Sequence, residues 1–147
     1  MEQLYVFGTG NAAVIHYYNT CFAIRNEDRF FMVDAGGGNG ILQILDKMNV
    51  QYSQIHDLFV THEHTDHLLG VVWMVRFIAT RMLNGTYDGD LNIYCHDQLT
   101  STIDTFCRLT LQGKFYRLIG DRIHLIPVHD GETLSIMDYE VTFFDIH

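Results

Sequence analysis

The stretch Thr61-His62-Glu63-His64-Thr65-Asp66-His67 constrains this chain more than any other. It packs His62, His64, Asp66 and His67, all potential metal ligands, into one short segment. His62 and His64 lie two apart, so in an extended segment their side chains point the same way. Asp66 and His67 are neighbours and share a direction only if the chain turns. Leu58-Phe59-Val60 in front reads as the end of a buried strand, and Leu68 onward reads as a helix. The segment therefore leaves a strand, crosses a loop and enters a helix. The histidine pair can reach one metal ion, and the Asp-His pair a second beside it. Imidazole and carboxylate suit zinc and its first-row neighbours, with manganese, iron and cobalt admissible. The zincin pattern H-E-x-x-H fails in register, because Asp66 stands four residues after His62. Glu63, between the histidines, is expected to point away from the metal.

The rest of the chain bounds the setting of that segment. With 147 residues it has room for one domain, 1–147. Hydrophobic residues at 48% argue against disorder. No apolar run reaches the roughly 18 residues of a membrane span. The start, Met1-Glu2-Gln3, lacks the basic-then-apolar pattern of a signal peptide. Cys21, Cys95 and Cys107 are far apart, odd in number and free of C-x-x-C spacing. They read as small buried hydrophobes in a reducing, cytoplasmic setting. A net charge of −9 does not favour a nucleic-acid partner, which calls for clustered Lys and Arg.

Along the chain, residues 3–7 read as a strand, followed by Gly8-Thr9-Gly10-Asn11-Ala12-Ala13. This matches the dinucleotide fingerprint G-x-G-x-x-A, with Asp34 at a suitable distance. That reading requires a helix next. Instead residues 14–24 are rich in β-branched and aromatic types without helical period, so a turn and a second strand near 20–24 are expected. Arg25–Asp28 is a hairpin turn, 29–33 the return strand ending at Asp34, and 35–40 a glycine-rich break. A helix over 41–48, a strand over 55–60, a buried helix over 68–82, a strand over 91–95 and a helix over 98–109 follow. His96, between the last two, reads as structural or surface. Strands are expected over 123–128, 133–137 and 139–146, the last pair a hairpin through Asp138. The class is α/β (α+β), a mixed β-sheet flanked by helices.

His62-x-His64-x-Asp66-His67 resembles the H-x-H-x-D-H signature of the metallo-β-lactamase superfamily. The glycine-rich turn after the first strand, Asn19-Thr20 before the second and Asp34-x-Gly36-Gly37 after the third are similar to the start of ribonuclease Z-like members. The resemblance implies the N-terminal half of an αββα sandwich. It implies metal ligation by His62, His64, Asp66, His67 and His147, with His129 as the nearest rival to His147. It implies that Asp34 supports a ligating histidine from behind, and that Asp66 also acts in proton transfer. The cofactor would be one or two zinc ions, with manganese or iron as alternatives. The activity implied is hydrolysis of a phosphodiester, in a small molecule or a nucleic acid, by metal-activated water. A thioester or lactone hydrolase of the same superfamily, or a catalytically incompetent interaction module, stays open. The family normally supplies a bridging aspartate and a last histidine further on, beyond residue 147. Half a sandwich leaves an apolar face open, so association, as a homo-oligomer or with a partner, is expected.

Overall fold

Apolar runs rich in aromatic and β-branched residues build β1 (Glu2–Gly8), β2 (Cys21–Asn26) and β3 (Arg29–Val33) at the start of the chain. These strands form an antiparallel meander, with Leu4 opposite Ile24 and Val6 opposite Phe22. In the computed structural model, which describes residues 1–146, three strand–helix–strand crossovers continue the sheet. They comprise α1 (Gly40–Lys47), β4 (Ile55–Phe59), α2 (Thr65–Leu83), β5 (Leu91–His96), α3 (Asp97–Thr110) and β6 (Ile123–Val128). Strands β3 to β6 are parallel neighbours, and the sheet runs β1-β2-β3-β4-β5-β6. Parallel crossovers are right-handed. Because the strands advance in one direction, the connecting helices fall on one face.

That face holds the main core. Met32, Leu58, Ile93 and Cys95 from the sheet pack with Ile41, Leu45, Leu68, Val71, Met74, Val75, Ile78 and Ile103 from the helices. Helix α2 buries one broad face, Leu68, Val71, Met74, Val75, Ile78, Ala79 and Met82, and leaves Trp73 exposed although its sequence is apolar nearly all round. The opposite face carries a second cluster. The hairpin of β7 (Thr133–Ile136) and β8 (Tyr139–Thr142) sets Ile136, Met137 and Phe143 against Phe31, Tyr94 and Val128. The hairpin reaches β1 only through the Tyr139 hydroxyl, which donates to Glu2 Oε1 at 2.9 Å, and leaves apolar residues of β1 and β2 exposed. Leu4 is 65% exposed and Val6 46% exposed on that face, beside half-buried Phe22. All the cysteines are free and buried, and burial pushes each thiol up to about 12.

Several boundaries differ from the sequence expectation. Helix α2 begins at Thr65 rather than Leu68, so Asp66 and His67 lie on its first turn and not in a loop. The last strand stops at Thr142 rather than continuing to Ile146, because its partner β7 begins only at Thr133. A 3-10 turn over Tyr52–Gln54 and a short helix α4 (Gly113–Tyr116) are additions that no periodicity announces. The dinucleotide reading falls. Gly8–Ala13 leads into an irregular loop and then antiparallel β2, with no helix at which a pyrophosphate would sit. A Cβ on Gly8 would lie 2.1 Å from the Asn19 carbonyl oxygen, so this glycine serves close backbone approach.

Candidate metal centre

The strand that ends at Asp34 and the strand that leads to Thr61 are parallel neighbours, so both chains leave the sheet at the same end. In open α/β sheets that carboxyl end is where ligands bind. The Asp34 backbone N–H donates to the Phe59 carbonyl at 2.8 Å, which ties the two exits together. Asp34 has φ of +57°, a left-handed conformation that Asp and Asn tolerate better than most residues. The turn directs its carboxylate inward, where the residue is only 4% exposed.

Three donors satisfy that carboxylate. The Thr61 backbone N–H donates to Oδ1 at 2.8 Å, the Thr61 hydroxyl to Oδ2 at 2.7 Å, and His67 Nδ1–H to Oδ2 at 2.7 Å. Asp34 thus contacts the rear nitrogen of His67, the kind of contact by which a carboxylate orients a histidine. The Thr61 hydroxyl lies 2.8 Å from His62 Nδ1.

The histidines form one group. The His62 ring lies 4.6 Å from the His64 ring and 4.1 Å from the His67 ring, centroid to centroid. Partial burial, and then the like charge on His67, lower the His62 imidazole below its ordinary range, although Asp34 and Asp66 oppose this. His67 Nε2 lies 3.2 Å from Asp66 Oδ2. With its Nδ1 proton given to Asp34, that nitrogen presents a lone pair to a carboxylate oxygen. Two acceptors facing each other at this distance call for a cation between them, either a proton or a metal ion. Imidazole nitrogens beside a carboxylate are also the donor set that zinc and its neighbours take, so the residues fit a first-row metal. Among the described residues, no group of three or more His, Cys, Asp or Glu side chains is disposed to hold an ion as it stands. The rings pack on one another rather than aiming at a common centre.

The site opens on a cleft of about 840 Å³. Asp34, Thr61, His62, Glu63 and His67 form its polar wall, and Phe22, Val33, Phe59, Val128 and Phe143 its apolar floor. Glu63 is exposed and lines the cleft. His96 and His129 line it as well, with Gln98 and Thr102. His64 and Asp66 are not part of its lining, and His64 is exposed. Phe144, Asp145 and Ile146 line the same cleft, while His147 lies outside the described residues.

Backbone packing holds the polar wall in place. The Gly70 N–H donates to the Gly36 carbonyl at 2.8 Å, and a Cβ on Gly70 would sit 1.9 Å from the Ala35 carbonyl oxygen. Gly70→Ala must therefore push α2 away from the turn that carries Asp34. Its expected cost is about 1–3 kcal/mol, read by urea unfolding; an unchanged midpoint would refute this packing. On the other side, Tyr18 and Asn19 clamp the glycine-rich turn. The Tyr18 hydroxyl donates to the Ala35 carbonyl at 2.8 Å, and the Gly37 N–H donates to Asn19 Oδ1 at 3.0 Å. Nothing in the spacing singled out Thr61, Tyr18 or Gly70. The nearest signal is the small or hydroxyl-bearing type of Gly70 and Thr61 next to the ligand segment.

Known proteins share this fold. The chain is 25% identical over 122 residues to a ribonuclease Z of Phocaeicola vulgatus, covering 80% of this chain and 36% of that protein. The metallo-β-lactamase fold protein YhfI of Bacillus subtilis superposes with a TM-score of 0.71 at 20% identity, over 97% of this chain and 53% of that one. The short form of human tRNase Z superposes with a TM-score of 0.62 at 23% identity, over 75% of this chain and 39% of that one. The fold is that of the metallo-β-lactamase superfamily, in the part that holds its N-terminal strands and helices. The chain spans less than half the length of the curated relatives it matches. A family profile described as anti-Pycsar protein Apyc1 matches residues 2–147, and the chain belongs to that family.

Proposed function

We propose that this chain carries the metal-binding part of a metal-dependent hydrolase that cleaves phosphodiester bonds. The observation that carries the reading is the grouping of His62, His64 and His67 at the carboxyl ends of β3 and β4, braced by buried Asp34. Similarity to ribonuclease Z supports the bond type. The net charge of −9 supports a small phosphodiester over a long RNA. His62, His64, Asp66 and His67 would hold zinc, or manganese or iron in its place, with His147 completing the histidine set. When bound, such an ion lowers the pKa of a coordinated water to about 7 and polarises a phosphoryl oxygen. The chain's own residues do the rest. Asp34 Oδ2 accepts the His67 Nδ1 proton and leaves Nε2 free to ligate. Asp66 Oδ2 stands where it can also take or give a proton. The apolar floor of Phe22, Phe59 and Phe143 excludes water from one side of the substrate.

Residues 1–147 would form a single domain that is incomplete by itself, cytoplasmic in location and weakly active or inactive alone. The decisive test is hydrolysis of bis(p-nitrophenyl) phosphate by the complete protein with zinc or manganese, wild type against His64→Ala. Activity lost in a folded variant supports the reading. Cleavage of a thioester or lactone instead moves the substrate class and keeps the metal site. A second reading, an interaction module without catalysis, draws on the absence of a ready-made ligand cage among the described residues. No hydrolysis by the metal-loaded complete protein would favour it.

The open sheet face has a measurable consequence. Leu4, Val6 and Phe22 line a shallow apolar groove, and such patches drive association. The isolated chain is expected to elute larger than a monomer in size-exclusion chromatography at high concentration. A Leu4→Lys/Val6→Lys variant should elute smaller. Monomeric elution of the unaltered chain at all concentrations would refute this.

A further inference from the structure

We propose that Thr61 is a positioning residue that sets the tautomer of His62. This deepens the metal-site reading above and takes its purpose from it. The proton positions are set outward from buried Asp34. An ionised carboxylate only accepts hydrogen bonds. Asp34 Oδ2 lies 2.7 Å from the Thr61 hydroxyl oxygen, so the hydroxyl must give its one proton to Asp34. What Thr61 then offers His62 is a lone pair. His62 Nδ1 lies 2.8 Å from that oxygen, so Nδ1 must carry a proton. The opposite assignment, with the hydroxyl donating to His62, would leave a carboxylate and a hydroxyl oxygen facing each other with no proton between them. Such an unmade bond to a buried charge is costly.

The consequence is a common orientation. His67 donates its Nδ1 proton to the same Oδ2, at 2.7 Å. One carboxylate therefore fixes two histidines, His67 directly and His62 through a hydroxyl. Both then have Nε2 as the atom available to an ion; on His67 that nitrogen faces Asp66 Oδ2 at 3.2 Å, where an ion would take the place of the proton between them. A histidine whose rear nitrogen is held in this way is pre-ordered for ligation, and losing such a contact typically weakens metal affinity about 10–100-fold. The Thr61 backbone N–H to Asp34 Oδ1 contact, at 2.8 Å, does not depend on the side chain. Replacing the hydroxyl should thus leave the turn in place and break only the relay.

The test is a long-range proton–nitrogen correlation spectrum of the metal-free chain, labelled with ¹⁵N-histidine, at a pH where His62 is neutral. The wild type should show the His62 proton on Nδ1. Thr61→Ser should keep it there, and Thr61→Val should move it to Nε2, the tautomer free imidazole prefers. Zinc or manganese titration should then show Thr61→Val binding about 10–100-fold more weakly, with Thr61→Ser close to wild type. A His62 proton on Nε2 in the wild type overturns the proposal, and so does an unchanged tautomer in folded Thr61→Val. If Thr61→Val does not fold, the wild-type spectrum alone decides. If the wild type binds neither metal, the functional reading fails, while the spectra still decide the relay.

Discussion

Replacing His62 and His64 together by alanine is expected to abolish metal binding and leave the fold intact. Neither ring belongs to a core cluster. His64 is the N-cap of α2, yet its side chain makes no capping hydrogen bond, so alanine there removes no helix contact. The metal-free variant should unfold within about 0.5 kcal/mol of wild type. Metal separates the two proteins. An ion that binds only the folded state stabilises it by about 2.7 kcal/mol at a hundred times its dissociation constant. The wild type should therefore melt higher when zinc is added, and the double variant should not respond. An equal zinc-induced shift in both would place the ion elsewhere.

The second large effect is expected at Asp34. Asp34→Asn keeps the shape of the side chain and tolerates the φ of +57°. It replaces one acceptor oxygen by an amide donor. The Thr61 hydroxyl, the Thr61 N–H and His67 Nδ1 then compete for a single oxygen. At least one buried donor is left unpaired, at about 1–3 kcal/mol. His67 loses the contact that directs its Nε2, so metal affinity should also drop, by about 10–100-fold. Both losses should appear together, in urea unfolding and in metal titration. A loss of stability with unchanged affinity would mean that Asp34 only anchors the turn.

Much of this site is legible in the sequence, and the remainder is hidden for identifiable reasons. The ligand segment and the strand before it follow from residue type and spacing, and the aspartate after the third strand from the family resemblance. The start of α2 at Thr65 does not, because His64 is not a usual capping residue and sends no stop or start signal. That shift of one turn matters, since it puts Asp66 and His67 on a rigid helix. The relay through Thr61 depends on which strands are neighbours. Asp34 and Thr61 are distant in sequence and meet only because β3 and β4 pair in parallel. Gly70 shows its purpose only when α2 is laid against the Ala35 carbonyl. The end of β8 is invisible to pattern, because Val141-Thr142-Phe143-Phe144 alternates well enough to continue as a strand. It stops where its partner does.

Elemental analysis of the purified chain beside the His62→Ala/His64→Ala variant, after loading with zinc and removal of excess, tests the central claim most directly. The account predicts about one ion per wild-type chain, as an open three-histidine site would hold, and background levels in the variant. Equal metal in both proteins, or none in either, would contradict it.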